Sequence, residues 1–315
     1  MTEINLPEID ISQFQQEIEG DHIQYHAELA KVREACKEWG FFRVVNHGIA
    51  PELLQKVVSV TQDLLSMPAE VKDRVTTSNP AESYIRLPDF DVFCFMGMPN
   101  TDSIQEMCEK IWPEGNSNFC EAIGALSLFL SDLRTKIIKS ILASLGLDAT
   151  KFYKSDFEKC KANLHINGYS SHGKCMGDVV LPCHADVECL TILYNDGNTG
   201  LQVRSKQGKW FNIKSQPDSF IVNIGDCFQA WTNGRYRSPD HRVVYTGWRN
   251  RISLPFSIIF PHDAQIWAPV ELVDDDDPRR YKPFTYSALL KEISSYQGYQ
   301  ADAETPKGIE RIAVI

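Results

Sequence analysis

The sequence predicts an α+β fold, in which a helical N-terminal region precedes a β-sandwich or barrel and a further helix follows near the C-terminus. Two observations support this prediction. Apolar residues recur at helical intervals in several stretches of the first 145 residues, whereas short strand-like runs begin after Lys161. The turn sequences Asp196–Gly200, Lys206–Lys209 and Gln216–Asp218 separate these runs, and such regular turns are typical of sandwiches and barrels.

The N-terminal region alternates between strands and helices. Gly40 is placed to end a helix, because glycine adopts the left-handed conformation that closes many helices. Pro51 favours the first turn of the next helix, and Gly146 closes a long amphipathic one. The predicted elements are a strand at 6–11, a helix at 21–40, a strand at 41–46, a helix at 51–66, a short helix after Pro68 and a helix at 118–145.

Three regions make up one predicted structural unit. Residues 1–160 form the mixed region that packs on the core, 161–265 form the β core, and 266–315 form the C-terminal helix and tail. The acidic run Asp274–Asp277 is predicted to be a solvated turn, since clustered like charges normally face water. A helix near Tyr286–Gln297 is placed to cover the barrel mouth, and the tail from Gly298 is expected to be partly disordered.

Composition excludes several classes of function. A net charge of −10 repels nucleic acid and anionic membrane surfaces, and no apolar run is long enough to span a bilayer. The nine cysteines are odd in number and form no CxxC pair, and no signal peptide precedes them, so we expect a reduced, cytoplasmic setting. A small-molecule substrate and a monomer are the default expectations.

A candidate metal site lies within the predicted β core. Alternate side chains of a strand share one face, so His184 and Asp186 can reach one ion together, and His241 is the candidate third ligand. Two imidazoles and one carboxylate leave coordination positions open, which suits ferrous iron that also holds a co-substrate and dioxygen. Zinc in a hydrolase is the competing interpretation at this stage.

An anion clamp follows the metal ligands. Arg251 and Ser253 are two positions apart on a predicted strand, and they supply a guanidinium fork and a hydroxyl suited to a carboxylate. Upstream, Asn167 and Tyr169 repeat the alternating spacing, and the phenol can add a hydrogen bond. A dicarboxylate could therefore bind the metal at one end and the clamp at the other.

These motifs together resemble the plant type of iron(II)- and 2-oxoglutarate-dependent dioxygenase, which shares the isopenicillin N synthase-like fold. Trp39–Ile49 resembles the family's N-terminal GFF…NHG signature, and Ile224–Asp226 and Thr232–Val243 also match. Ala185 stands where the family usually has threonine, and serines replace the prolines that commonly follow the NxY motif. Neither departure removes a ligand.

The resemblance implies a double-stranded β-helix, or jelly roll, with iron at its open end. It implies iron(II) bound by His184, Asp186 and His241, with 2-oxoglutarate held by Arg251 and Ser253 and assisted by Tyr169 and Asn167. Dioxygen is the second co-substrate, and ascorbate is expected to help. The implied reaction couples decarboxylation of 2-oxoglutarate to succinate with hydroxylation, demethylation or desaturation of a substrate.

The substrate pocket is predicted from strand alternation. On the Arg251 strand, Ser257 and Ile259 point inward with the clamp, and Phe93 with Phe95 could line the pocket mouth or belong to the core. His262, after the last core strand, is a further candidate. The resulting surface favours a small apolar plant metabolite such as an alkaloid, phenolic, terpenoid or hormone. Ile111–Asn116 and Glu271–Phe284 resemble the subgroup of glucosinolate side-chain oxygenases and auxin oxidases.

Three other functions fit parts of the pattern. An oxidase of the same fold that uses no 2-oxoglutarate, like ACC oxidase, would keep the same motifs. A zinc hydrolase would use the same ligands, and a non-catalytic metabolite-binding module would use the same scaffold. The complete set of ligands together with the clamp disfavours the binding module.

Overall fold

The computed structural model describes residues 2–14, 23–77, 83–295 and 309. The N-terminal region supplies five strands and most of the helices. Asn116 caps the longest helix by accepting a hydrogen bond from the Phe119 amide. In chain order the elements are β1 (Glu3–Ile4), β2 (Glu8–Asp10), α1 (Ile23–Glu38), β3 (Phe41–Val45), α2 (Pro51–Leu65), α3 (Ala69–Lys72), β4 (Tyr84–Arg86), β5 (Phe90–Met98), α4 (Asp102–Ile111), α5 (Ser117–Ser144) and α6 (Ala149–Phe152).

The remaining elements are mainly strands. They are β6 (Lys161–Ser170), β7 (Val179–His184), β8 (Leu190–Asn195), β9 (Leu201–Arg204), β10 (Trp210–Ile213), β11 (Phe220–Ile224), α7 (Asp226–Trp231), β12 (His241–Val244), β13 (Asn250–Ile259), β14 (Gln265–Ile266), β15 (Phe284–Thr285) and α8 (Tyr286–Ser295). The end predicted for the last helix at Gln297 and the tail from Gly298 lie outside the described residues, apart from Ile309.

The eight strands β6–β13 are shared between two sheets. One sheet has the order β2-β3-β11-β8-β13-β6-β5-β4, and the other has the order β1-β10-β9-β12-β7. Successive strands of the core therefore alternate between the two sheets, except that β9 and β10 both lie in the smaller one, and this is the arrangement of a double-stranded β-helix. The predicted jelly roll, with helices before it and a helix after it, is confirmed.

Strand register brings the candidate site residues together. In the smaller sheet, His241 on β12 lies opposite His184 at the end of β7. In the larger sheet, β13 pairs antiparallel with β6, so Arg251 lies opposite Tyr169 and Ser253 lies opposite Asn167. Two side chains directly across an antiparallel pair share one face. The two histidines therefore lie side by side, and the Arg251 and Ser253 pair of β13 lies beside the Asn167 and Tyr169 pair of β6.

His47 links the end of β3 to the loop before β11. Its Nε2 donates to the Asp218 carbonyl oxygen at 2.9 Å, and its Nδ1 accepts from the Ile49 amide at 3.3 Å. Both bonds together require the neutral ring with its proton on Nε2. His47 is 7% exposed, and burial lowers its pKa below 6.5 despite the opposing effect of the Asp218 backbone contact.

We expect His47 to make the fold sensitive to acid. Because its pKa is lower in the folded chain than in the unfolded one, the folded state binds fewer protons, and the free energy of unfolding falls as the pH drops below about 6.5. Urea denaturation of the wild type and His47→Gln at about pH 5 and about pH 7.5 checks this. The variant should lose less stability between the two pH values, and an equal loss would contradict the assignment.

Candidate active site

His184, Asp186 and His241 form a compact group of potential metal ligands. One donor atom from each lies within 4.8 Å of the other two. Asp186 Oδ1 is 3.7 Å from His184 Nε2 and 3.5 Å from His241 Nε2, and the two imidazole centroids are 4.2 Å apart. The three donors converge on one point from one side, and the side that faces the cavity stays open. This facial arrangement suits non-haem iron.

Hydrogen bonds behind the ligands fix their orientation. His184 Nδ1 contacts the Pro182 carbonyl oxygen at 2.9 Å, and His241 Nδ1 contacts the Pro239 carbonyl oxygen at 3.3 Å. A carbonyl accepts only from an N–H, so each ring carries its proton on Nδ1 and presents the Nε2 lone pair to the metal position.

The carboxylate of Asp186 is oriented in the same way. Its Oδ2 accepts from Thr191 Oγ1 at 2.5 Å and from Asn223 Nδ2 at 2.8 Å. This leaves Oδ1 as the oxygen that faces both histidines. Burial acts to raise the pKa of Asp186, but His241, His184 and these two hydrogen bonds lower it below its ordinary value overall. The group is therefore ionised and ready to bind a cation.

The clamp residues lie in the same cavity as the ligands. Arg251 is 1% exposed, yet its Nε and Nη1 have no hydrogen-bond partner within the described part of the chain. Its guanidinium lies over the Tyr169 ring, 4.8 Å from the centroid, and Ser253 Oγ accepts from Asn167 Nδ2 at 3.4 Å. A buried guanidinium with unsatisfied donors is costly unless an anion binds it, so the residues fit a carboxylate ligand.

The cavity has a volume of about 190 Å³, and its wall combines apolar and polar groups. Ser257 is part of this wall, as predicted from its position on β13, and Pro255 lies beside it. The apolar part of the wall is formed by Phe41, Leu181, Leu193, Leu201, Val243 and Pro255.

Four predicted pocket residues lie elsewhere. Phe93 and Phe95 are fully buried in the core, where Phe93 packs on Tyr84 and Phe95 on Phe119. They share a face as alternation required, but that face packs against helices, so the structure supports the core interpretation. Ile259 is also in the core, and His262 is exposed beside Tyr286. None of the four lines the cavity around His184, Asp186 and His241, the metal-ligand triad.

Sequence reasoning missed Thr191, Asn223 and Glu188 as residues of the site. Thr191 and Asn223 hold Asp186, and their only sequence signal was a polar residue within an otherwise apolar strand. Glu188 lines the cavity two positions after Asp186, and its pKa is raised to about 7 by burial and by the neighbouring Asp186. His165 also lines the cavity, and burial lowers its pKa to about 4, although Asp186 opposes the shift.

Gly225 supports the loop that carries Asp186. The Asp226 amide donates to the Asp186 carbonyl oxygen at 2.8 Å, and the Gly225 amide donates to the Cys189 carbonyl oxygen at 2.9 Å. A Cβ on Gly225 would lie 2.1 Å from the Glu188 carbonyl oxygen, which is closer than any side chain tolerates.

We therefore expect Gly225→Ala to displace the ligand loop. The change should destabilise the fold by about 1–3 kcal/mol, as overpacking does, and should lower the bound iron per chain. Thermal unfolding and metal analysis measure the two effects. Gly124→Ala is the control, because its Cβ would meet only the Thr101 methyl at 3.4 Å within a helix. Equal behaviour of the two variants would contradict the role of Gly225.

Comparison with known proteins identifies the family. Residues 157–259 match the model of the 2OG-Fe(II) oxygenase superfamily, and residues 6–114 match the N-terminal region of "non-haem dioxygenase in morphine synthesis". Gibberellin 20 oxidase 1 of Arabidopsis thaliana is 33% identical over 294 residues, which are 87% of this chain and 75% of that protein. Flavanone 3-dioxygenase 2 of Oryza sativa subsp. japonica is 30% identical over 276 residues, 85% and 80% of the two chains.

This chain belongs to the plant 2OG-Fe(II) oxygenase family.

Solved structures agree with the assignment of this oxygenase. The rice dioxygenase for auxin oxidation superposes with a TM-score of 0.84 at 27% identity, covering 98% of this chain and 100% of that one. JOX2 in complex with 2OG, Fe and JA gives a TM-score of 0.78 at 28% identity, covering 98% and 88%. The oxygenase is a non-haem iron(II)- and 2-oxoglutarate-dependent dioxygenase, and His184, Asp186 and His241 bind its iron.

Family membership decides between the alternatives left open by the motifs. The triad serves an iron-dependent oxidation that consumes 2-oxoglutarate, which excludes the zinc hydrolase and the non-catalytic binding module. Bound iron supplies dioxygen activation in this family, and the chain supplies binding, orientation and exclusion of water. Among the described residues, no helix is both long enough and apolar enough to cross a membrane.

Proposed function

We propose that this oxygenase binds the distal carboxylate of 2-oxoglutarate through Arg251 and Ser253, with Tyr169 and Asn167 supporting them, and oxidises a small plant metabolite. The observation that carries the clamp assignment is the buried Arg251 guanidinium, whose Nε and Nη1 have no protein partner in the described chain. A dicarboxylate spanning the triad and Arg251 would satisfy those donors.

Tyr169 and Asn167 prepare the clamp. The Tyr169 ring lies under the guanidinium, and Phe90 stacks on the same ring with centroids 5.1 Å apart, so the guanidinium plane is held in one orientation. Asn167 donates to Ser253 Oγ, which leaves the Ser253 hydroxyl hydrogen free to point at a carboxylate oxygen. Arginine in such a planar, stacked setting recognises a carboxylate through two parallel hydrogen bonds.

The relatives support a substrate from hormone or specialised metabolism. Their names refer to gibberellin, flavanone and auxin oxidation, and one solved relative holds JA. The rice auxin dioxygenase covers this chain almost completely, which supports the auxin-oxidase side of the subgroup predicted from the sequence. This oxygenase is 27% identical to that enzyme, and we propose that it acts on a metabolite about as small as auxin, bound at the cavity wall that contains Ser257.

Three outcomes are open to the same site, namely hydroxylation, demethylation through a hydroxylated methyl group, and desaturation. Which one occurs depends on the carbon that the substrate presents to the iron. None of the nine cysteines, all of which lie in the described part of the chain, forms a disulfide, which supports a reducing cytoplasmic setting. We propose a monomer that requires no macromolecular partner for this reaction.

Anaerobic reconstitution tests the proposal. Iron(II) followed by 2-oxoglutarate should give the weak visible charge-transfer band of an iron–keto acid chelate, and addition of oxygen should release succinate. Ascorbate should prolong turnover. Protein that binds iron but gives no band at saturating 2-oxoglutarate would contradict binding of this co-substrate at the iron.

A further inference from the structure

Two cysteine thiols lie in contact outside the active site. The sulfur atoms of Cys108 and Cys120 are 2.7 Å apart, where α4 packs beside α5. Neither residue lines the active-site cavity or belongs to the metal ligands, and no disulfide joins the two. The S–S bond of a disulfide is about 2.05 Å long, so the two atoms need to approach by well under an ångström to form one.

The connection between the two helices, residues 112–116, holds the thiols in place. The Trp112 amide donates to the Cys108 carbonyl oxygen at 2.8 Å, so the connection starts as a direct continuation of α4. The Trp112 ring also packs on Phe119, with centroids 5.2 Å apart, and Phe119 directly precedes Cys120 on α5. The two sulfur atoms are therefore brought together by two helices and a short, hydrogen-bonded connection.

The two thiols differ in their access to solvent. Cys108 is only 2% exposed, whereas Cys120 is half-buried, so a small oxidant in solution reaches Cys120 first. Burial, together with the neighbouring Cys120, raises the pKa of Cys108 above its ordinary value and keeps that thiol protonated. A reachable thiol with a second thiol held against it is the arrangement of an attacking and a resolving cysteine.

We propose that Cys108 and Cys120 are a redox-sensitive modification site, at which a small disulfide such as oxidised glutathione converts the two thiols into a disulfide. The Cys120 thiolate attacks one sulfur of oxidised glutathione, forms a mixed disulfide and releases one glutathione. The Cys108 sulfur then attacks Cys120 Sγ, and the Cys108 proton passes to the departing second glutathione. The two protein thiols lose two electrons, and one oxidised glutathione gains them to become two glutathione thiols.

The disulfide ties α4 to α5 across 12 positions of the chain. Such a cross-link restricts the unfolded chain more than the folded one, so the oxidised protein is the more stable form. In the cytoplasmic setting proposed above, glutathione keeps the pair reduced, and disulfides that do form there are usually transient and redox-sensing. The stability of this oxygenase therefore follows the redox state of its surroundings.

Anaerobic incubation of the iron-loaded protein with oxidised glutathione tests the proposal. Hydrogen peroxide is not used, because iron(II) reacts with it. Remaining thiols are blocked in denaturant and the chain is cut with trypsin, which cleaves after Lys110, between the two cysteines. Mass spectrometry should find the Cys108 and Cys120 peptides joined with the loss of two hydrogen atoms, and dithiothreitol should separate them. The midpoint of thermal unfolding should rise by about 5 °C on oxidation.

Three variants separate this pair from the other cysteines. Cys108→Ala should stop the reaction at the mixed disulfide between Cys120 and glutathione, because the resolving thiol is absent. Cys120→Ser should give neither the disulfide nor a glutathione adduct at the buried Cys108. Both variants should lose the rise in the unfolding midpoint. Cys175→Ser is the control, since it removes an exposed cysteine elsewhere in the chain and should keep both the disulfide and the rise.

The proposal is overturned if wild-type protein accumulates glutathione on Cys120 without a disulfide to Cys108. It is equally overturned if Cys175 is modified while Cys108 and Cys120 stay reduced, or if the Cys120→Ser variant keeps the rise in the unfolding midpoint. None of these measurements depends on binding of 2-oxoglutarate, so their result is independent of the proposed function.

Discussion

Asp186→Ala is expected to lose iron binding and 2-oxoglutarate turnover together. The substitution removes the one anionic ligand and the carboxylate oxygen that accepts hydrogen bonds from Thr191 and Asn223. Loss of a residue that only supports a metal ligand typically lowers metal affinity by about 10–100-fold. Loss of the ligand itself should therefore lower iron affinity by more than about a hundredfold. Metal analysis after dialysis and succinate release under oxygen measure the two losses.

Thr191→Val provides the graded comparison. It keeps the Asp186 carboxylate and removes only its 2.5 Å hydrogen bond, so iron affinity should fall by about 10–100-fold. The variant should recover activity at higher iron concentration, whereas Asp186→Ala should not. Asp186→Ala protein that retained one iron per chain would show that the triad is not the iron site.

Arg251→Ala is expected to raise the 2-oxoglutarate concentration needed for half-maximal turnover by at least about thirtyfold. Truncation of a buried charged partner costs about 2 kcal/mol or more, and the co-substrate's distal carboxylate would lose its guanidinium. Iron binding should be unchanged, because Arg251 is not among the metal ligands. Arg251→Lys keeps the charge but loses the planar fork, so it should recover only part of the affinity.

Arg242→Ala is the matched control for Arg251. Arg242 also stacks on an aromatic ring, 4.2 Å from the Trp210 centroid, and lies on β12 of the same barrel, but it does not line the cavity. Its 2-oxoglutarate requirement should match that of the wild type. If the Arg251 and Arg242 variants have the same requirement, the co-substrate carboxylate binds elsewhere.

The sequence could predict the clamp because strand alternation is a local rule: Arg251 and Ser253 share a face of β13 whatever the rest of the chain does. The same rule was applied to His184 and Asp186, but His184 is the last residue of β7 and Asp186 lies in the loop that follows, so alternation does not account for their convergence. The partnership with His241 depends on register between distant strands, and the family resemblance supplied what local periodicity could not. The helices α2 and α5 were predicted close to their observed bounds, because Pro51 and Gly146 are chemical boundary signals, whereas α4 was not predicted.

The pocket residues were harder to predict, because alternation gives a shared face without saying what that face meets. Phe93 and Phe95 share a face that packs against helices rather than the cavity. Ile259 keeps the phase of Arg251 but lies at the end of β13, where the barrel wall has passed into the core. Glu188 lies in a turn between strands, where no periodic signal exists, so only the structure could place it in the cavity.

The position of β3 has a consequence for how this enzyme is made. Phe41 on β3 pairs with Asn223 on β11, about 180 positions later, and β3 separates β11 from β2 within the larger sheet. During synthesis β3 therefore cannot pair with β11 until more than two thirds of the chain has been translated. Its apolar surface stays unpaired over that interval, so production of this oxygenase should depend on chaperones and improve when translation is slowed or the temperature is lowered.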